Sequence, residues 1–171
     1  MQRRRSPRCA WGAGCSPRPL LGGTRPAPSP ERPPPLLADL LAELPPAQRA
    51  PLDRLARRAT TLGAPPRVYG TLLWQHLSGE ACLRPGSDID LLFDCTPQTD
   101  VRALLGLLQH SADAPRLDGE MRFADGRAVA WRELAQALSG HGPTRVLAKS
   151  DHALELVEAS QLLTHTAGAT A

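Results

Sequence analysis

Two aspartates one residue apart, Asp88 and Asp90, interrupt the apolar stretch GSDIDLLF. Aspartate is a poor strand former, so a strand that only had to pack would carry Val, Ile or Thr there. Side chains two residues apart in a strand lie on one face, with α-carbons roughly 6.6 Å apart. Two such carboxylates repel each other unless a cation lies near both. We therefore expect Asp88 and Asp90 to bind Mg²⁺, which prefers one or two carboxylates together with phosphate oxygens and water.

A Gly-Thr pair, Gly70 and Thr71, lies upstream of the aspartates, where the predicted strand PPRVYG gives way to the predicted helix TLLWQHLS. Glycine lets the backbone approach a phosphate, and a helix N-terminus supplies free N–H donors and positive potential. The threonine adds a hydroxyl group. A phosphate-binding turn of this kind, followed by Asp-x-Asp on the neighbouring strand, is typical of polymerase-β-like nucleotidyltransferases. The predicted fold class is therefore α/β or α+β, a small mixed sheet with flanking helices.

That superfamily needs a further acid, and the segment PRLDGEMRF offers two candidates, Asp118 and Glu120. Both share one predicted strand face with Arg116 and Arg122. Either carboxylate can complete a metal site or act as a base toward an attacking hydroxyl, and the residues alone leave that choice open. The two arginines are candidates for phosphate contacts, or for pairing with these acids. Lys149 ends another predicted strand, and its alternatives are a phosphate contact or an ordinary surface position.

The remaining pattern consists of mixed helices and strands that position these residues. Apolar spacing predicts further helices at 33–44, 52–62 and 99–110. Strands are expected at 87–93, 115–123, 127–131, 144–150 and 152–157. The last four form two hairpins, turning at Asp125-Gly126 and at Ser150-Asp151.

Composition divides the chain near residue 33. Residues 1–32 carry seven arginines and one glutamate, a charge of +6, so the remainder carries −3 of the total of +3. Twelve of the eighteen prolines lie within residues 1–51. We expect residues 1–32 to be a disordered tail rich in Arg, Pro and Gly, residues 33–165 to form a nucleotidyltransferase-like domain, and residues 166–171 to be disordered. A basic arm for nucleic acid or a membrane surface is the alternative for the tail.

Several function classes are disfavoured by composition. The negative charge of residues 33–171 argues against nucleic-acid binding as the main function. No apolar run is long enough to span a bilayer or to serve as a signal peptide. The four cysteines show neither zinc-site spacing nor a secretory context, so free thiols are expected. We expect a soluble, cytoplasmic protein without a membrane partner.

Three long blocks of sequence resemble one specific family. They are YGTLLWQHLSGEACLRPGSDIDLL, PRLDGEMRFADGRAVAWREL, and RVLAKS followed by ALELV. Together they resemble the phosphoribosyl-dephospho-CoA transferase of bacterial malonate decarboxylase, its holo-acyl-carrier-protein synthase, over about residues 33–163. The resemblance implies transfer of phosphoribosyl-dephospho-CoA from 2'-(5''-triphosphoribosyl)-3'-dephospho-CoA to a serine of the acyl-carrier subunit. Pyrophosphate would leave.

The resemblance and the residue chemistry assign the same roles. Asp88 and Asp90 would hold the metal, with Asp118 or Glu120 as the further catalytic acid, while Gly70, Thr71 and Lys149 would bind the triphosphate of the donor. Two departures from the family pattern are visible. Residues 1–32 do not resemble the N-terminal module of the family, and Thr71 replaces the more usual serine of the phosphate turn.

Two other functions compete with this assignment. One is a minimal nucleotidyltransferase that uses the same Asp88 and Asp90 to adenylylate a protein or a small molecule. The other is a truncated, non-catalytic relative that still folds and binds the carrier subunit or a nucleotide. The intact acids disfavour the second alternative, and the unfamiliar N-terminal segment favours it.

Overall fold

The structure is a computed structural model that describes residues 32–111, 115–140 and 142–167. From Pro33 onward these residues belong to one compact unit. The disorder predicted for residues 1–32 and 166–171 concerns residues that lie almost entirely outside the described part. The last described helix reaches Ala167, two residues beyond the predicted domain end.

Five α-helices, one 3₁₀ helix and six strands make up the described chain. The helices are α1 (Pro46–Thr61), α2 (Gly70–Ser78), α3 (Val101–Ser111), α4 (Trp131–Leu138) and α5 (Ala159–Ala167), with the 3₁₀ helix at Leu37–Glu43. The strands are β1 (Arg67–Val68), β2 (Ile89–Cys95), β3 (Leu117–Phe123), β4 (Ala128–Ala130), β5 (Arg145–Lys149) and β6 (Leu154–Glu158).

The six strands form a single mixed sheet in sequential order, from β1 to β6. Only β2 and β3 are parallel, and α3 makes the crossover between them; every other neighbouring pair is antiparallel. Because β2 and β3 run in the same direction, both strands begin at the same edge of the sheet. A small α/β domain with a mixed sheet and flanking helices was predicted, and this is confirmed.

One face of the sheet is packed and the other is open. Along β2 and β3 buried residues alternate with partly exposed ones, so Leu91 and Met121 point inward while Asp90 and Asp118 lie on the opposite side. The inward residues join the buried stripes of the helices in one apolar core. The outward side chains form what we call the open face. All the acids predicted to act in catalysis within β2 and β3 therefore lie on the open face.

Several helical segments differ from the sequence-based expectation: α1 begins six residues earlier than predicted, at Pro46, and α5 was not predicted. The first predicted helix is a 3₁₀ helix, in which Leu37 and Leu40 are buried at the three-residue spacing of that geometry. Helix α4 was not predicted, because the strand β4 runs directly into it without a turn signal. Its buried residues Trp131, Leu134 and Ala135 nonetheless follow helical spacing.

Asp100 caps the N-terminus of α3. The Asp100 side chain accepts a hydrogen bond from the Ala103 N–H at 3.0 Å, which is the N-cap interaction. Thr99 instead is buried and donates its hydroxyl to the Gly63 carbonyl at 3.0 Å, which ties the end of α1 to the start of α3. In the part of the chain that the structure describes, no helix is long and apolar enough to cross a membrane.

Candidate active site

Asp90 and Asp118 face each other across the parallel strands β2 and β3. The register pairs them directly, so their side chains are neighbours on the open face near the edge where both strands begin. Adjacent strands lie about 4.8 Å apart, which brings two carboxylates within strong electrostatic reach. Each side chain is half-buried. The sequence predicted both residues as candidates, and the strand register brings them together.

Asp88 lies just outside β2, one residue before the strand begins. Its Oδ1 lies 3.4 Å from the Nε of Arg116, which immediately precedes β3. The arginine is largely exposed, so this ion pair is weak and easily exchanged for another partner. Asp88, Asp90 and Asp118 therefore lie along the same edge of the sheet, and Arg116 is the cation nearest to Asp88 among the described ion pairs.

The Gly70-Thr71 turn lies against the side chain of Asp90. The Tyr69 N–H donates to the Asp90 carbonyl at 3.1 Å, which continues the β1–β2 ladder and brings the start of α2 beside β2. Gly70 has a φ of +63°, and a Cβ atom there would lie 2.8 Å from Asp90 Cγ. The backbone N–H of Thr71 favours the ionised form of the Asp90 carboxylate and lowers its pKa. Glycine is thus required by both conformation and space, and the helix N-terminus holds the carboxylate in place.

Mutual repulsion of the carboxylates is visible in the protonation of Asp90. Burial, followed by the charges of Asp118 and Asp88, raises the pKa of Asp90 above its ordinary value. The Thr71 N–H opposes this rise but does not cancel it. A carboxyl that is hard to ionise beside other carboxylates is stabilised as an anion by a nearby cation. The site is therefore electrostatically suited to a divalent metal.

Tyr69 is a site residue that the sequence analysis missed. Burial raises the pKa of its phenol, and the charges of Glu120, Asp90 and Asp118 raise it further. The phenol therefore stays neutral, so its hydroxyl keeps the proton that it can donate in a hydrogen bond. One signal was available: the single tyrosine of the chain stands immediately before Gly70.

Glu120 is held by Lys149, two strands away. Lys149 Nζ lies 2.7 Å from Glu120 Oε1, and this hydrogen bond is the main reason that the pKa of Lys149 is raised. The lysine reaches from β5 to β3 above β4, whose residues on the open face are Ala128 and Ala130. Their small side chains leave room for this crossing. Glu120 is therefore partly neutralised, whereas the charge nearest to Asp118 in register is that of Asp90.

The two arginines of the predicted acidic strand do not pair with its acids. Arg122 donates to Asp94 on β2, with Nη2 2.6 Å from Oδ1, and Arg116 pairs with Asp88. Arg122 thus lies at the far end of β3 from the carboxylates and has a structural partner. Trp74 and Trp131 stand next to apolar residues in the sequence, which predicts a core or pocket-wall position; Trp131 is buried, but Trp74 is 67% exposed.

Among the described residues, no group of three or more His, Cys, Asp or Glu side chains is arranged to hold a metal ion by itself. This finding leaves open a site completed by the oxygens of a phosphorylated substrate, which is the manner in which Mg²⁺ is usually bound. Cys82 and Cys95 are free thiols, as expected.

A family model described as the phosphoribosyl-dephospho-CoA transferase MdcG C-terminal domain matches residues 36–160. Several bacterial proteins that are named phosphoribosyl-dephospho-CoA transferase are similar to this chain. The match in Xanthomonas campestris pv. campestris (strain 8004) is 38% identical over 101 residues, 58% of this chain and 47% of that protein. In Bradyrhizobium diazoefficiens it is 37% over 119 residues, 68% of this chain and 50% of that protein.

A third relative, from Xanthomonas euvesicatoria pv. vesicatoria, is 32% identical over 131 residues, which cover 75% of this chain and 59% of that protein. The chain thus spans about half the length of the relatives it matches. No solved structure gives a significant match. Because the family model covers most of the sequence, including every predicted site residue, this chain belongs to the family of the phosphoribosyl-dephospho-CoA transferase MdcG C-terminal domain.

Proposed function

We propose that this chain carries the catalytic domain of a transferase with a nucleotidyltransferase-type fold. Its donor is 2'-(5''-triphosphoribosyl)-3'-dephospho-CoA, and its acceptor is a serine of the acyl-carrier subunit of malonate decarboxylase. Family membership supports the transferred group. The observation that carries the proposal is the pairing of Asp90 with Asp118 on adjacent parallel strands, beneath the Gly70-Thr71 turn.

The reaction is a displacement at phosphorus. The serine Oγ forms a bond to the α-phosphorus of the triphosphate, the bond from this phosphorus to the bridging oxygen breaks, and pyrophosphate leaves. The serine proton must be accepted by a nearby base. A phosphodiester then joins the carrier serine to the phosphoribosyl group. This reaction requires charge neutralisation around the phosphates and a base near the acceptor hydroxyl.

Asp88 and Asp90 are the residues that would hold Mg²⁺. They fit the ion because their carboxylates lie beside Asp118; burial, followed by this crowding of negative charge, already raises the pKa of Asp90. When bound, Mg²⁺ supplies positive charge to the phosphate oxygens and to the leaving pyrophosphate. The exposed ion pair of Asp88 with Arg116 is weak enough for Asp88 to exchange its partner for a metal.

Asp118 is the better candidate than Glu120 for the further acid. It faces Asp90 in the strand register and lowers the tendency of Asp90 to ionise, while Glu120 is bound to Lys149 at 2.7 Å. A carboxylate that is already paired with an ammonium group is a weaker base and a poorer metal ligand. We therefore assign proton acceptance, or completion of the metal site, to Asp118.

The triphosphate is assigned to the N-terminus of α2 and to Lys149. The N–H of Thr71 acts on the Asp90 carboxylate, so the Thr71 hydroxyl and the other free N–H groups of the first turn are the donors available for phosphate oxygens. Lys149 is half-exposed, and a bound phosphate competes with Glu120 for its ammonium group. In this assignment the ion pair orders Lys149 before the donor binds.

The test is mass spectrometry of the apo carrier subunit after incubation with the full chain, Mg²⁺ and the triphosphoribosyl donor. We expect a mass gain on the carrier serine that is lost in Asp90→Asn and in Asp88→Asn. Arg127→Gln, which removes an ion pair with Asp125 in the β3–β4 turn, is the matched control and should keep activity.

Other outcomes of this experiment identify the alternatives. Adenylylation from ATP, with no reaction of the triphosphoribosyl donor, would show a minimal nucleotidyltransferase instead. If the carrier binds but neither donor reacts, the chain is a non-catalytic relative. That second outcome would contradict the assignment of catalysis to Asp88 and Asp90.

A further inference from the structure

One cavity of the described chain lies on the helical side of the sheet, away from the carboxylates. It is a cleft of about 420 Å³ between α1 and α3, and we call it the α1–α3 cleft. Residues that line it include Leu52, Leu55, Leu107 and Leu117, all of which are buried. Its floor is therefore apolar, and its volume is in the range of specific binding pockets.

Two arginines give the rim of the α1–α3 cleft a positive charge. Arg54 and Arg58 lie one turn apart on α1 and both line the cleft, with His110 of α3 on the opposite wall. His110 already uses Nδ1 in a 2.6 Å contact with the Gly106 carbonyl. Within the ranges described by the structure, neither Arg54 nor Arg58 has a side-chain hydrogen bond or an ion pair.

Two other arginines of α1 have partners within the chain. Arg57 forms an ion pair with Asp53 at 3.0 Å, and Arg49 donates to the carbonyls of Leu44 and Ala42. Asp53 is the single acid of α1, and α3 contains none. Neither α1 nor α3 therefore supplies an acid that balances the charges of Arg54 and Arg58. An apolar pocket with such a rim is complementary to an acidic segment that carries an apolar anchor residue.

The cleft opens at the edge of the sheet that also carries the catalytic candidates. It ends at Pro115 and Leu117, the two neighbours of Arg116. Arg116 pairs with Asp88, and the residue after Leu117 is Asp118. The side chains of Leu117 and Asp118 point to opposite faces of the sheet. A protein bound in the cleft can thus pass a loop around this edge and reach the carboxylates.

We propose that the α1–α3 cleft is the docking site for the acceptor protein, through an acidic segment with an apolar anchor. This inference rests on the proposed function for the identity of the acceptor, the apo carrier subunit. The anchor enters the apolar floor, and acidic side chains pair with Arg54 and Arg58. Docking then places the acceptor serine at the edge near Asp88.

Binding of the apo carrier subunit to the full chain, measured by titration calorimetry, tests docking without requiring turnover. We expect the double variant Arg54→Glu/Arg58→Glu to bind at least about tenfold more weakly than the wild type. The matched control is Arg57→Glu, on the same helix but away from the cleft, which should bind like the wild type. Raising the salt concentration should weaken the wild type and leave the double variant almost unchanged.

Three results would overturn the docking site. The first is equal carrier affinity of the double variant and the wild type, whether or not the wild type transfers the phosphoribosyl-dephospho-CoA group. The second is an equal loss in Arg57→Glu, which would show that only the general charge of α1 matters. The third would come from the transfer kinetics of the double variant. A raised KM for the donor with an unchanged KM for the carrier would assign the cleft to the donor. Carrier binding without any transfer would contradict the proposed function alone, and the two failures are thus distinguishable.

Discussion

Replacing Gly70 by alanine should remove activity with only a modest loss of stability. Gly70 has a φ of +63°, and an added Cβ would lie 2.8 Å from Cγ and 3.1 Å from Cβ of Asp90. Non-bonded carbon atoms normally keep about 3.5–4.0 Å, so one of the two residues must move. The side chain of Asp90 is the easier to move, because Gly70 is fixed between the end of β1 and the start of α2.

The structure supplies a control for the conformational part of this change. Gly79 ends α2 with a similar φ of +71°, and a Cβ there meets nothing within 4 Å. An alanine in the left-handed conformation costs about 1–2 kcal/mol at either position. Gly79→Ala should therefore lower the melting temperature and keep activity. In Gly70→Ala a comparable conformational cost is joined by displacement of the Asp90 carboxylate.

The expected loss of activity follows from the displacement. Moving a catalytic group by about 1 Å costs on the order of a hundredfold in rate. We therefore predict that Gly70→Ala lowers kcat of transfer to the carrier at least about a hundredfold below Gly79→Ala. Thermal unfolding and the transfer assay, run on both variants, measure the two effects separately. Equal activities in the two variants would refute the inference that Gly70 positions Asp90.

Three further predictions concern the charges around the sheet. Because the pKa of Asp90 is raised in the folded protein, its ionisation disfavours the folded state. Asp90→Asn should therefore raise the melting temperature at neutral pH. This gain should shrink as the pH falls from the raised pKa to the ordinary pKa of an aspartate. A melting temperature that changes equally at all pH values would contradict this. Lys149→Met removes an exposed ion pair with Glu120, so stability should change by less than about 1 kcal/mol while the KM for the donor rises; an unchanged KM would exclude a phosphate contact. Burial, followed by Asp94, raises the pKa of Cys95 to about 12, so peptide mapping at pH 8 should find this thiol alkylated only after denaturation.

Strand β2 could be predicted from sequence because its signal is local. Alternation of polar and apolar residues in β2 assigns Asp90 to the face opposite Leu91, and the structure confirms this. Gly70, the first residue of α2, was likewise identified from its place between a strand and a helix. Its contact with the Asp90 carboxylate was not predicted, since it depends on how closely α2 packs over β2.

Contacts between distant strands could not be predicted from the residues alone. The ion pair of Lys149 with Glu120 requires the sheet order and the two small residues of β4, which only the complete fold supplies. The choice between Asp118 and Glu120 stayed open in the sequence for the same reason. Helix α4 was missed because the run that ends at Trp131 has the composition of a strand.

The most direct test of the central assignment compares Asp118→Asn with Glu120→Gln in single-turnover transfer to the carrier subunit. The two substitutions are chemically matched and concern neighbouring positions on one face of β3. We predict that Asp118→Asn slows transfer at least about a hundredfold, while Glu120→Gln stays within about tenfold of the wild type. A larger loss in Glu120→Gln than in Asp118→Asn would contradict the pairing of Asp90 with Asp118 as the catalytic centre.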